Sequence, residues 1–162
     1  MSTTFDFGDH VVLVTGASGS LGTTTVDAFH EGGATVCLTA RHRPEKDDIA
    51  LDSDRLSFYK GDLTDEASAA QVVDNVVTDH GQLDGLVNLI GTWRGGTRID
   101  ETDVESFEFL FNVNLKTMFL GSKHAIPHLR DSGGSIVSAS ARASLSGGEG
   151  LRVSTRGTSF SN

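Results

Sequence analysis

Residues 11–22, VVLVTGASGSLG, set an apolar, β-branched run directly against a turn with glycines at 16, 19 and 22. A strand that breaks into such a turn and then into a helix leaves few topologies open. The segment 10–15 reads as a strand, and 20–31, stopped by Gly32-Gly33, reads as a helix with a glycine C-terminal signal. Backbone amides in such a turn can approach a phosphate group closely, and the helix N-terminus adds partial positive charge. The alternative is an ordinary strand-to-helix turn. The following chain favours the phosphate seat, because the turn opens a strand–helix–strand unit.

That alternation continues along the chain. Residues 34–39 read as a second strand, with Cys37 as a small core residue; 44–54 as an acidic loop or short helix; and 56–59 as a third strand. Thr64 is positioned to cap a helix carrying Ala67, Ala70, Val73, Val76 and Val77, which ends at Gly81. Residues 85–90 form a fourth strand and 135–140 a fifth. Between them, 102–130 predicts one long helix, with Val104, Phe107, Phe111, Leu115, Met118 and Ala125 on an apolar stripe and Pro127 kinking or breaking it near its end. Strands that alternate with helices predict an α/β fold with a doubly wound parallel sheet, since each parallel pair needs a helical crossover. The domain spans 1–142, and 143–162 is a polar, irregular tail rich in Ser, Gly, Thr and Arg.

Charge and cysteine usage narrow the function classes. The 162 residues carry 13 Lys and Arg against 22 Asp and Glu, a formal net charge of −9. That surface repels phosphate backbones and anionic headgroups, which argues against nucleic acid and membrane as partners. The same acidity suits a protein kept soluble at high salt, or an ordinary acidic one; a gain in melting temperature in molar KCl separates the two. A single cysteine excludes a disulfide framework and a thiolate zinc site. His124 and His128 have helical ligand spacing but no carboxylate placed to complete a triad, so no metal is expected. No signal segment and no apolar run near 18 residues is present, so the expected location is the cytoplasm.

Five landmarks in order carry a family resemblance. TGASGSLG at 15–22 resembles the cofactor signature Thr-Gly-x-x-x-Gly-x-Gly of the short-chain dehydrogenase/reductase family, of the classical type. GDLTD resembles the segment where the family's Asp meets adenine, VNLIG resembles its Asn-Asn-Ala-Gly, NVNLKTMF carries its helix Asn, and GGSIVSAS leads to its catalytic Ser. Ser20 replaces the usual middle glycine, with Gly19 one place early as the flexible substitute, and Leu89-Ile90 replaces Asn-Ala. The resemblance implies a Rossmann-type domain with Thr15, Gly16, Ser18, Gly19, Leu21, Gly22, Arg41, Asp62, Leu63, Asn88 and Gly91 at the cofactor. It places Asn114 and Ser140 at the catalytic centre, with Ser138 as a second candidate for the orienting serine.

The second strand ends at Ala40 and is followed by Arg41 and Arg43, with no acid at its tip to take a ribose 2′-hydroxyl. A guanidinium suits a 2′-phosphate, so NADP(H) is the preferred cofactor and NAD(H) the alternative, with Glu45 weakening the preference. The missing acid also argues against a methyltransferase. The family's chemistry needs a Tyr phenol to move a proton and a Lys to lower its pKa. Here the sole Tyr is Tyr59, in the third strand, and no Lys follows Lys123. Aligning on GLRVSTRG puts Leu151 and Thr155 at the Tyr and Lys positions; counting without gaps from the fifth strand puts Ala141, Ser154 and Thr158 at Ser, Tyr and Lys. Neither supplies a proton donor near neutral pH.

The expectation is therefore a C-terminally truncated or frameshifted dehydrogenase. It descends from enzymes that transfer hydride between NADP(H) and a small carbonyl or alcohol substrate. The alternative is a nucleotide-binding module or pseudoenzyme without turnover. The long helix 102–130 is the candidate surface for a homo-oligomer.

Overall fold

The computed structural model describes residues 5–42, 53–94 and 98–141. Its elements run β1 (Val11–Thr15), α1 (Ser20–Glu31), β2 (Thr35–Ala40), β3 (Leu56–Lys60), α2 (Glu66–His80), β4 (Gly85–Asn88), a 3-10 turn (Ile99–Glu101), α3 (Val104–Phe111), a π turn (Asn112–Lys116), α4 (Thr117–Ser132) and β5 (Ser135–Ser138). The expected acidic loop or short helix at 44–54 and the tail 143–162 lie wholly or largely outside the described residues, as do Arg43, Glu45, Leu151, Ser154, Thr155 and Thr158.

The five strands form one parallel sheet in the order β3-β2-β1-β4-β5. β1 is central and buried on both faces, as its unbroken apolar run requires. Val12, Val14, Val36, Leu38 and Val87 face one side with Val26 of α1 and, partly buried, Phe7 and Phe29. Val11, Leu13, Cys37, Tyr59 and Leu86 face the other, with Val72, Val73 and Val76 of α2 and Leu120, Ala125 and Leu129 of α4. Helices thus cover both faces, and the chain reverses its winding between β1 and β4. Doubly wound sheets bind ligands outside the strand C-termini at such a reversal.

Three local expectations are corrected. Asp65, not Thr64, caps α2: its carboxylate accepts from Ser68 N at 2.8 Å, while Thr64 is engaged by Asp62. The long helix is Val104–Ser132 in three segments, with a π turn at Asn112–Lys116, and α4 runs through Pro127 to Ser132 with no break at the proline. Its expected apolar stripe is only partly a core stripe. Val104, Phe107 and Phe111 are 65%, 50% and 49% exposed, whereas Leu110, Thr117, Leu120, Gly121, Ala125 and Leu129 are buried. The extra residue in the π turn rotates the apolar register of α3 away from that of α4.

Candidate functional site

The turn between β1 and α1 is held by backbone that tolerates no side chain at two points. Gly16 has φ +70°, and a Cβ there would lie 2.9 Å from Ile90 N and from Leu89 C. A Cβ on Gly22 would lie 2.2 Å from Gly16 O. Only glycine lets α1 close onto the turn and the turn onto the end of β4. Gly19 differs: its backbone is extended (φ −76°), and an added Cβ would meet only Gly16 O, at 3.5 Å. The conformationally demanding position is therefore Gly16 and not Gly19, the expected flexible substitute, and Gly19 leaves the outer side of the turn open. Gly19 is also the N-cap of α1, and no side chain caps it. Amides of a first helical turn have no acceptor within their own helix, so they remain available to an anion.

A cleft of about 200 Å³ lies beside this turn, lined by Gly16, Ser18, Thr39, Ala40, Arg41, Gly61, Asp62, Leu63, Thr64, Ile90, Val113 and Thr117. It brings together Gly16, Ser18, Arg41, Asp62 and Leu63 from segments up to 47 positions apart in the sequence. Asp62 accepts from Thr64 Oγ1 at 2.7 Å and Thr64 N at 2.9 Å. These bonds, reinforced by the charges of Arg41 and Lys116, hold its carboxyl below the ordinary value near 3.8. The carboxylate is thereby fixed as an acceptor at the mouth of the cleft.

The other expected residues do not line the cleft. Thr15 Oγ1 accepts from Leu89 N at 3.2 Å, tying the turn to β4. Leu21 is exposed. Asn88 is buried and donates to Ser122 Oγ at 3.3 Å and Ser138 Oγ at 3.2 Å, so its side chain joins β4, α4 and β5. Asn114 grips the loop after β4 through both backbone polar groups of one residue: Thr92 N donates to its Oδ1 at 2.7 Å, and its Nδ2 donates to Thr92 O at 3.0 Å. A Cβ on Gly91 would lie 3.6 Å from the same Oδ1. Ser140 is exposed just beyond β5.

Tyr59 is not part of this constellation. Its hydroxyl donates to Asp79 Oδ2 at 2.9 Å and meets His80 Nε2 at 3.0 Å, at the C-terminal end of α2. Burial and the Asp79 carboxylate push its pKa up, away from the range a proton relay needs. His124 lies 3.9 Å from Glu66, which pairs with Lys123, and among the described residues no group of three metal-ligating side chains exists.

Sequence reasoning missed Thr39, Thr64, Ile90, Val113 and Thr117 in the cleft wall. Thr39 had a readable signal, a hydroxyl in the apolar run VCLTA in register with Thr15. Val113 and Thr117 had none, because the π turn sets which helical residues face the sheet end.

Comparison with known proteins places this geometry in context. Residues 10–153 match the family profile described as short chain dehydrogenase. A 1,2-dihydroxy-1,2-dihydronaphthalene dehydrogenase of Ralstonia sp is 31% identical over 146 residues, covering 86% of this chain and 56% of the relative. An uncharacterized oxidoreductase of Thermotoga maritima is 35% identical over 147 residues, covering 88% and 57%. Among solved structures, ElxO with NADP bound superposes with a TM-score of 0.82 at 28% identity, over 90% of this chain and 60% of that one. A short-chain dehydrogenase/reductase from Brucella melitensis gives 0.86 at 25% identity, over 95% and 65%. The chain spans about half the length of the curated relatives it matches.

Proposed function

The chain belongs to the short-chain dehydrogenase family, and from that premise we propose that its cleft seats the adenosine and pyrophosphate of a nicotinamide dinucleotide, NADP(H) in preference to NAD(H). The complete activity proposed is hydride transfer between that cofactor and a small carbonyl or alcohol. The observation that carries the reading is the convergence of the Gly16–Gly22 turn and the β2 and β3 ends on one cleft. First-turn amides of α1 would hold the pyrophosphate, with Ser18 at the rim. Arg41 would pair with a 2′-phosphate, and Asp62 and Leu63 would meet the adenine. A bound dinucleotide supplies the hydride donor or acceptor.

Catalytic support from the chain itself is narrower. Asn114 positions the Thr92 peptide beside Gly91, and Ser140 is the candidate for orienting a substrate oxygen. The only phenol, Tyr59, is committed to Asp79 and His80 on the α2 side. We therefore propose that these 162 residues bind cofactor without turning it over. The acidic surface supports a further element, greater stability in molar KCl.

Calorimetric titration of the 162-residue chain with NADPH and NADH, alongside a hydride-transfer assay, tests the reading. Saturable binding of NADPH, weaker binding of NADH and no turnover are expected. A folded chain that binds neither would overturn it.

A further inference from the structure

Thr39 stands near the end of β2 as a fully enclosed polar side chain with an unmet requirement. The residue is 0% exposed, and its Oγ1 makes no hydrogen bond among the described residues. Its register neighbour on β1, Thr15, is also buried, yet the Thr15 hydroxyl accepts from Leu89 N at 3.2 Å. A buried hydroxyl without a partner opposes folding, and valine would fill the same strand position with the same shape and no such penalty. The hydroxyl is nevertheless present, and Thr39 lines the cleft.

Thr39 borders the cleft on that side. Gly61 adjoins it across the β2–β3 boundary, and a Cβ built there would come within 3.7 Å of Thr39 Oγ1 and within 2.3 Å of Val72 Cγ2. The bare glycine therefore adds no side chain against the hydroxyl. Of the other polar groups at this end, Asp62 is ionised and can only accept, the Arg41 guanidinium can only donate, and the Thr64 hydroxyl already donates to Asp62, whereas the Thr39 hydroxyl can do either. Adenine presents both kinds of group, an exocyclic amine that donates and ring nitrogens that accept.

We propose that the Thr39 hydroxyl is a ligand-binding group that hydrogen-bonds the adenosine part of the dinucleotide from the floor of the cleft. The inference rests on the cofactor reading above. Position selects adenosine over the other parts of the molecule: Thr39 shares the β2–β3 side of the cleft with Arg41 and Asp62, while the pyrophosphate turn lies at Gly16–Gly19 and Asn114 lies by the loop after β4.

Thr39→Val and Thr39→Ser in the 162-residue chain test it, by calorimetry with NADPH and with ADP-ribose and by thermal melting without ligand. The valine variant should bind both ligands about tenfold more weakly, by equal factors because both carry adenosine, and the serine variant should recover most of that loss. Without ligand, the valine variant should melt at the same temperature as the parent or higher. Unchanged affinity, a loss confined to NADPH, or a lower melting temperature for the unliganded valine variant would each overturn the inference. Failure of the parent chain itself to bind either ligand would instead overturn the cofactor reading, and this inference with it.

Discussion

The three glycines of the opening turn have separate duties, and substitution distinguishes them. A methyl group at Gly22 would sit 2.2 Å from a carbonyl oxygen of the turn, backbone that cannot step aside without moving α1. Gly22→Ala should therefore cost about 3 kcal/mol or more in urea unfolding. Gly19→Ala has room for its methyl and should cost no more than about 1 kcal/mol, the loss of a glycine N-cap. It should still weaken NADPH binding, because that methyl would face the open side of the turn. At Asp62 the sign of the pH effect is fixed by hydrogen bonding. Its carboxyl titrates lower in the fold than in the unfolded chain, so its contribution is present above about pH 4 and disappears as pH falls through the folded value. Asp62→Ala should separate from the parent in melting temperature at pH 6 and converge with it as pH falls below the folded value.

At the scale of elements, legibility followed the strength of local signals. The bounds of α1 and the Gly81 end of α2, with its left-handed φ of 78°, are what the punctuating glycines imply. The start of α2 was less legible, because Thr64 and Asp65 are both competent caps; the choice fell to Asp65 once Asp62 engaged Thr64. The π turn was not legible at all. An i to i+5 register leaves no mark in apolar spacing, yet it precedes the buried run of α4 and contains Asn114. The glycine turn and GDLTD therefore marked one side of the cleft in the sequence, while the helix residues that close it left no mark. The contacts of α2 with β3 offer a direct test. Tyr59→Phe removes a hydroxyl that joins β3 to Asp79 and His80, and should lower unfolding free energy by roughly 1–2 kcal/mol while leaving NADPH affinity unchanged.

The molecule as a whole is unevenly covered. Among the described residues β5 pairs only with β4, and all four of its residues are exposed, including Ile136 and Val137. Phe107, Phe111, Phe119 and Ile126 are exposed along α3 and α4. Apolar surface of this kind drives association. Sedimentation of the 162-residue chain should show mass rising with concentration, and Phe119→Glu should reduce it; a strictly monomeric parent chain at all concentrations would contradict this. Contact between Gly16 and the Leu89–Ile90 backbone has a further consequence for how the cleft comes into being during synthesis. The turn and the wall it rests on are separated by more than seventy positions, so a nascent chain that has released β1, α1 and β2 still has no finished cleft. The cleft is complete only when β4 joins the sheet, and any ligand it takes can act on the growing chain as a folding ligand no earlier than that step.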